Sequence, residues 1–355
     1  MKIHNFSAGP SILKPSVIQK ASEAIVNFNN SGLSLLEISH RSKDFVAVME
    51  RARELSLELL GLKDQGYQAL FLHGGASMQF VMVASNLLEK KGAYLNTGTW
   101  SNNAIKEAKV FGEVIEVASS KDKNYNYIPK DYNIPDDADY FHCTSNNTIF
   151  GTQIKHFPQT NIPIVCDMSS DIFSRAIDHS KFDLIYAGAQ KNLGPAGTTL
   201  VIIKESLLGK VTRQIPNILN YQSHIDKESM YNTPSVYAVY VSMLTLEWLK
   251  EMGGVSVIEK ENNKKANLLY SEIDRNPLFK AYVENVEDRS FMNPTFNVSD
   301  ESHKETFDSL LKNAGISGLN GHRSVGGYRA SMYNALPFES VQTLVEVMQE
   351  LEKKS

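Results

Sequence analysis

Residues 67–88 read Tyr67-Gln68-Ala69-Leu70-Phe71-Leu72-His73-Gly74-Gly75-Ala76-Ser77-Met78-Gln79-Phe80-Val81-Met82-Val83-Ala84-Ser85-Asn86-Leu87-Leu88. A short apolar run stops at a double glycine, and beyond it Phe80, Val81, Ala84, Leu87 and Leu88 recur at helical spacing. The stretch predicts a strand, a glycine turn and a helix. The same alternation returns at 93–96, with a helix near 102–109, and at 114–117, 140–143, 162–167, 184–187 and 198–203. Short apolar strands separated by helical or loop segments predict an α/β fold with a mostly parallel sheet covered by helices.

Working outward, a helix is predicted after Ser42, where Phe45, Val48, Met49, Ala52, Leu55 and Leu59 share one face and Gly61 ends the run. Leu35-Leu36-Glu37-Ile38 ahead of it reads as strand-like. From about Pro234 the texture changes. A long helical stretch breaks at Gly253-Gly254 and resumes over 255–273, followed by a strand near 295–298, a helix near 303–313 and a last amphipathic helix carrying Val341, Leu344, Val345, Met348 and Leu351. These signals predict an N-terminal arm and large domain over 1–254 and a smaller α+β domain over 255–355.

Composition narrows the function classes. The 355 residues carry 36 basic and 40 acidic side chains, a net charge of −4, with 42% hydrophobic residues. That balance argues against disorder and against a general polyanion binder, so no nucleic-acid partner is expected. Cys143 and Cys166 are the only cysteines, too few for a disulfide framework. No apolar run approaches the ~18 residues of a membrane helix, and the N-terminus lacks the apolar core of a secretion signal. A soluble, cytoplasmic protein without membrane partners is expected.

In open α/β sheets ligands bind beyond the carboxyl ends of the strands. Four such ends stand out: Gly74-Gly75-Ala76-Ser77, Thr97-Gly98-Thr99-Trp100-Ser101, Asp167-Met168-Ser169-Ser170-Asp171 and Gln190-Lys191-Asn192. The glycine turn places free backbone N–H groups and the positive end of a helix where an anion can dock, although a double glycine taken alone is more often a plain turn. It lacks the spacing of an ATP-binding P-loop or a dinucleotide fingerprint. Lys191 stands among glycines and almost no charges, which favours the neutral amine; an isolated lysine in a loop also simply snorkels. Asp167 ends an apolar strand and needs a cationic answer, or else caps the segment that follows. Trp100, amid Thr and Asn residues, reads as a loop aromatic placed to stack on a flat ring. Pyridoxal 5'-phosphate calls for a lysine, a carboxylate facing the pyridine nitrogen and a phosphate nest, all of which appear at adjacent strand ends. No metal site is expected. A second cluster is cationic: His40-Arg41, and His322, Arg323 and Arg329 among glycines, suited to a doubly anionic substrate or to plain solvated loops.

Read together, Asn5-Phe6-Ser7-Ala8-Gly9-Pro10, His40-Arg41-Ser42, His73 to Ser77, Thr97 to Ser101, Ser145 to Ile149, Asp167 to Ser170, Tyr186 to Asn192, Tyr231 to Pro234 and Gly321 to Gly327 closely resemble the phosphoserine aminotransferase family, in that family's order and over nearly the whole chain. The resemblance implies a fold-type I, class V pyridoxal-phosphate enzyme and a homodimer with shared active sites. By matching motif it implies Lys191 as the residue joined to the cofactor, Asp167 at the pyridine nitrogen, Trp100 stacked on the ring and Thr148 beside its 3-hydroxyl. Ala76, Ser77 and Gln190 would hold the phosphate, with Asn232 and Thr233 from the second subunit. Arg329 would bind the substrate α-carboxylate, and His40 and Arg41, with His322 and Arg323 of the other chain, the distal phosphate or carboxylate. The implied reaction interconverts 3-phosphohydroxypyruvate and glutamate with phosphoserine and 2-oxoglutarate, in serine biosynthesis; some members also act on 4-phosphohydroxythreonine, in pyridoxine biosynthesis. Two departures stand out: Ser77 where some members have arginine, leaving one cation fewer for the distal anion, and Ala8 where some have serine. The alternatives are another fold-type I aminotransferase of small acidic substrates, or a non-catalytic module that holds a phosphorylated metabolite.

Overall fold

The computed structural model describes residues 2–355. After a short strand β1 (His4–Asn5) and helices α1 (Pro15–Val26) and α2 (Lys43–Leu59), the chain alternates through β2 (Tyr67–Leu72), α3 (Gly75–Leu87), β3 (Lys91–Asn96), α4 (Thr99–Ala108) and β4 (Glu113–Ser119). It continues through β5 (Tyr140–Thr144), β6 (Ile164–Asp167), β7 (Leu184–Gly188) and β8 (Thr199–Lys204). These seven strands, β2 to β8, form one sheet in the order β2-β8-β7-β6-β5-β3-β4. Only β8 runs antiparallel to its neighbours β2 and β7. All seven strands lie where the apolar runs predict them; the direction of β8 is the element that composition does not encode.

Alternation along the strands sorts the side chains to two faces. Phe71, Leu95, Phe141, Cys143, Ile185 and Ile202 pack with residues of α1 and α2 in one core. Leu70, Leu72, Tyr94, Tyr140, Val165, Tyr186 and Val201 pack against α3 and α4 in another. Buried polar residues close three of these strands at their carboxyl ends: Asn96 of β3, Thr144 of β5 and Asp167 of β6.

Downstream come α5 (Tyr221–Ile225), α6 (Val236–Glu251), α7 (Val255–Arg275), β9 (Phe279–Ala281), β10 (Thr295–Val298), α8 (Lys304–Asn313), β11 (Ile316–Ser317), β12 (Tyr328–Arg329) and α9 (Phe338–Lys354). Strands β9, β10 and β12 form an antiparallel sheet. It shares a core with α7, α8 and α9, in which Phe279, Phe296, Phe307, Tyr328 and Leu344 are buried. Helix α7 serves both bodies: Val255 and Ile258 face the large core and Ala266, Leu269 and Ile273 the small one. The N-terminal arm also crosses over, since β1 pairs with β11 and Phe6 is buried in the small core.

Two local expectations are corrected. Residues 35–38 form turns rather than a strand: the Glu37 N–H donates to the Ser34 carbonyl at 3.0 Å and the Glu37 carboxylate accepts the Ser34 N–H at 2.9 Å, closing the backbone on itself. Trp100 is not in a loop: it is the second residue of α4, which begins at Thr99 rather than near residue 102.

Candidate active site

The turn into α3 is built around Gly74, whose φ of 88° suits glycine and where an added Cβ would lie 2.5 Å from Met78 Cβ. Gly75 opens the helix, so Ala76 and Ser77 sit in its first turn, whose N–H groups have no intrahelical acceptor and no capping side chain. That is a nest for an anion at the positive end of a helix. The turn into α4 is fixed differently. The Ser101 hydroxyl accepts the N–H groups of Thr97 and Gly98, both at 3.0 Å, and thereby sets the direction in which Trp100 leaves the helix. The indole Nε1 is buried without a partner.

Asp167 is the last residue of β6 and is buried. One carboxylate oxygen accepts Ser169 N–H at 2.9 Å, and the Ser169 hydroxyl accepts Gly188 N–H at 3.1 Å, tying the strand end to β7. Burial raises the Asp167 carboxyl above the usual range, while the nearby Lys191 ammonium and the Ser169 N–H oppose that rise. Lys191 lies just beyond β7, half-buried. Burial brings its amine down to about 8; Asp167 pulls it upward and Arg329 pushes it further down.

Thr148 is the meeting point. Its hydroxyl accepts Lys191 Nζ at 2.8 Å, and its carbonyl accepts an Arg329 guanidinium N–H at 3.2 Å. The Trp100 ring centroid is 5.9 Å from Lys191 Nζ. The N-terminal loop lies over the same point: Ser11 N–H donates to the Gln190 carbonyl at 3.0 Å and the Ser11 hydroxyl to the Lys191 carbonyl at 2.5 Å. The Ala8 carbonyl accepts the Tyr333 hydroxyl at 2.7 Å. Nothing in the local pattern of Ser11 or Tyr333 marks them; only tertiary packing brings Ser11 to Lys191 and Tyr333 to the N-terminal loop.

The remaining expected residues spread around this centre. Gln190 is half-buried beside the loop. Asn232 and Thr233 are exposed, Asn232 lying 3.4 Å from His73 of its own chain, close to the glycine turn. His322 is half-buried in the glycine-rich loop, bonded to Ser324 at 2.7 Å. Partial burial and the charges of Arg329 and Arg323 hold its pKa below the usual histidine value. Arg323 and Arg41 are exposed. Among the described residues neither His40 nor Arg41 forms an ion pair or side-chain hydrogen bond with the 321–329 loop, so one chain brings together Lys191, Asp167, Thr148, Trp100 and Arg329 but does not join the two cationic groups.

The arrangement fits pyridoxal phosphate. It offers an amine poised near neutrality, a buried carboxylate, an aromatic face and an uncapped helix start, together with buried polar atoms that lack partners: Trp100 Nε1, Thr144 Oγ1 and Arg329 Nε. Unsatisfied buried groups are costly unless something answers them, and a polar ligand does so.

Comparison with known proteins agrees. The aminotransferase class-V family model matches residues 3–344. A phosphoserine aminotransferase of Flavobacterium johnsoniae is 70% identical over 100% of both chains, and one of Parabacteroides distasonis is 58% identical over 100% of both. Among solved structures, phosphoserine aminotransferase from Bacillus circulans subsp. alkalophilus superposes with a TM-score of 0.96 at 41% identity, covering 99% of each chain. The PLP-bound phosphoserine aminotransferase of Trichomonas vaginalis superposes with a TM-score of 0.93 at 35% identity, over 98% of this chain and 100% of that one. The chain is therefore a fold-type I, pyridoxal-phosphate-dependent aminotransferase of class V and belongs to the phosphoserine aminotransferase family.

Proposed function

We propose that this enzyme moves the amino group of glutamate to 3-phosphohydroxypyruvate, giving 2-oxoglutarate and phosphoserine for serine biosynthesis. The observation that carries the reading is the convergence of Lys191, Asp167 and Thr148 beyond the adjacent strands β7, β6 and β5, with Arg329 of β12 bonded to Thr148, in a fold whose helix α3 has an uncapped start. Bound pyridoxal phosphate supplies an electron sink for the charge left when the substrate α-proton departs. Asp167 holds the pyridine nitrogen protonated; its burial makes an unpartnered negative charge costly and so strengthens its hold on that proton. Ala76 and Ser77 N–H groups with Gln190 hold the phosphate, Trp100 covers the ring and the Thr148 hydroxyl fixes Lys191. Lys191, whose amine titrates near physiological pH, takes the proton from the substrate α-carbon and returns one to the α-carbon of the new amino acid. Arg329 grips the α-carboxylate and sets that carbon against Lys191.

The same proposal assigns Asn232, Thr233, His322 and Arg323 to the neighbouring subunit's site in a homodimer. Met78 in the first turn of α3 and Tyr231, next to Asn232 by His73, leave apolar surface exposed, which a second copy would cover. We assign the enzyme to the cytoplasm; no helix among the described residues is long and apolar enough to cross a membrane. We retain 1–254 and 255–355 as its working units, and 4-phosphohydroxythreonine as a second substrate, with a part in pyridoxine biosynthesis. The deciding assay compares turnover on 3-phosphohydroxypyruvate and on the keto acid of 4-phosphohydroxythreonine, with glutamate as donor. Failure of the first substrate to turn over would remove the reading.

A further inference from the structure

A cavity of about 260 Å³ opens between the two cores, lined by Gln153, Lys155 and Arg175 from the large body, Glu259 and Asn262 from α7, and Phe291. None of the active-site residues lines it. Lys155 Nζ lies 3.7 Å from the centre of the Phe291 ring and donates to the Gln153 amide oxygen, with no carboxylate partner among the described residues. Arg175 donates to the Ile154 carbonyl at 2.7 Å and to Asp171 at 2.9 Å, while its Nε is buried and unpartnered. Asp171 is itself shared with the Ser145 hydroxyl and with Gln153. This wall therefore carries two cations against one committed carboxylate. From α7 come the opposite features. Glu259 is half-buried and makes no ion pair among the described residues, and Asn262 Oδ1 is buried without a donor. Asn262 is fixed in place, because its amide N–H groups donate to the Ser174 carbonyl at 3.0 Å and to Asn334 at 2.9 Å.

We propose that this cavity binds a small free α-amino acid. Its carboxylate would meet Lys155, on the wall that also carries Arg175, and its ammonium would meet Glu259. The ligand would then give Lys155 and Glu259 an opposite charge at once, which a simple anion or cation cannot do. At about 30 Å³ per water the volume holds roughly nine waters, enough for a side chain of one to three heavy atoms above the α-carbon. The electrostatics agree with the geometry: burial, with Arg175 beside it, pulls Lys155 down to about 7, a cation short of a counter-charge.

Equilibrium dialysis of the holoenzyme with labelled L-alanine and L-serine tests the proposal, read together with the visible absorption of the bound cofactor. We expect one saturable site per chain whose filling leaves that absorption unchanged, weakened roughly tenfold or more in both Lys155→Met and Glu259→Gln. Acetate and inorganic phosphate should bind more weakly and should not respond to Glu259→Gln. Three results would overturn the proposal: no saturable binding at millimolar amino acid, binding that shifts the cofactor spectrum and survives both substitutions, or acetate and phosphate binding as tightly as the amino acids. The Glu259→Gln arm changes a half-buried side chain without altering its shape, so it stays informative should Lys155→Met fold poorly.

Discussion

Asp167→Asn keeps the shape of the side chain and removes its charge. In the parent, burial raises the carboxyl and Lys191 opposes that rise, so each holds part of the other's charge. With asparagine the strongest influence raising the Lys191 amine is gone, and that amine falls below about 8. The pyridine nitrogen loses a charged acceptor at the same time. A hydrogen bond to a charged group contributes about 1.5 to 3 kcal/mol, or roughly 10- to 150-fold in affinity. The loss of cofactor affinity can be read on the apo protein by quenching of tryptophan emission, since Trp100 is one of only two tryptophans. Single-turnover kinetics of each half-reaction then give the effect on proton transfer. Affinity should fall within that range and kcat further, because the protonated ring matters most when the α-carbon has lost its proton. Parental affinity together with parental rates in both half-reactions would refute the assignment. Asp171, the other acid on this segment, could not take over, since Ser145, Gln153 and Arg175 already occupy it.

Lys191→Ala should fold and still hold the cofactor through the α3 nest and Asp167, with turnover lower by many orders of magnitude; near-normal transamination by that variant would remove the central residue from the mechanism. Mixing Lys191→Ala with Arg323→Ala should restore part of the activity once subunits exchange, because one site of the mixed dimer then carries neither lesion; exchange without recovery would place each site within one chain. Arg323→Ala should cost about 1.5 to 3 kcal/mol, roughly 10- to 150-fold in kcat/KM, and more for phosphoserine than for glutamate, while Arg329→Ala should depress both half-reactions alike. Finally, His142 and His179 are buried, with pKa values pulled down to about 3 and about 4. The unfolded chain binds their protons first, so stability should fall as pH drops below 6.5, with these two groups adding up to about 2.7 kcal/mol per pH unit between pH 6 and 5. His142→Gln should reduce that slope by about half in urea titrations, and an unchanged slope would mean that the ring is already charged in the folded protein.

The parallel sheet is legible in the sequence because each strand is an apolar run closed by a turn, and the site is legible because ligand chemistry in such sheets falls at strand ends. Helix α1 is harder to read for a physical reason. Its buried face is Val17, Ala21 and Ala24, whereas Ile18, Ile25 and Val26 are exposed, so the apolar pattern points in no single direction. Strands β1, β11 and β12 have two residues each and exist only through their partners across the chain. The group formed by buried Asp171 with half-buried Arg175 and Lys155 is equally silent, because ordinary surface ion pairs have the same composition and only the burial of Asp171 distinguishes this one.

The division of labour between the two bodies has a chemical consequence. Lys191 and Asp167 belong to the large sheet, whereas Arg329 sits on β12 in the small one. The distance between the group that grips the substrate and the group that moves its proton is therefore set by how the bodies dock. That contact includes polar pairs that must be satisfied together: Asn146 to Asn293 at 2.8 Å, the Asn334 N–H to Asn192 at 2.9 Å and the Asn334 amide to the Phe173 carbonyl at 2.9 Å. An apolar contact could slide by an ångström at little cost, but these amides lose hydrogen bonds when they slip, at about 1 to 3 kcal/mol for each buried group left unpaired. Asn293→Ala should therefore lower kcat while leaving Lys191, Asp167 and the cofactor spectrum in place, although the side-chain partners of Asn293 are Asn146, Ser331 and Tyr333 and none of the residues assigned to the cofactor or substrate. A parental kcat in that variant would show that the docking of the two bodies does not set the geometry of proton transfer.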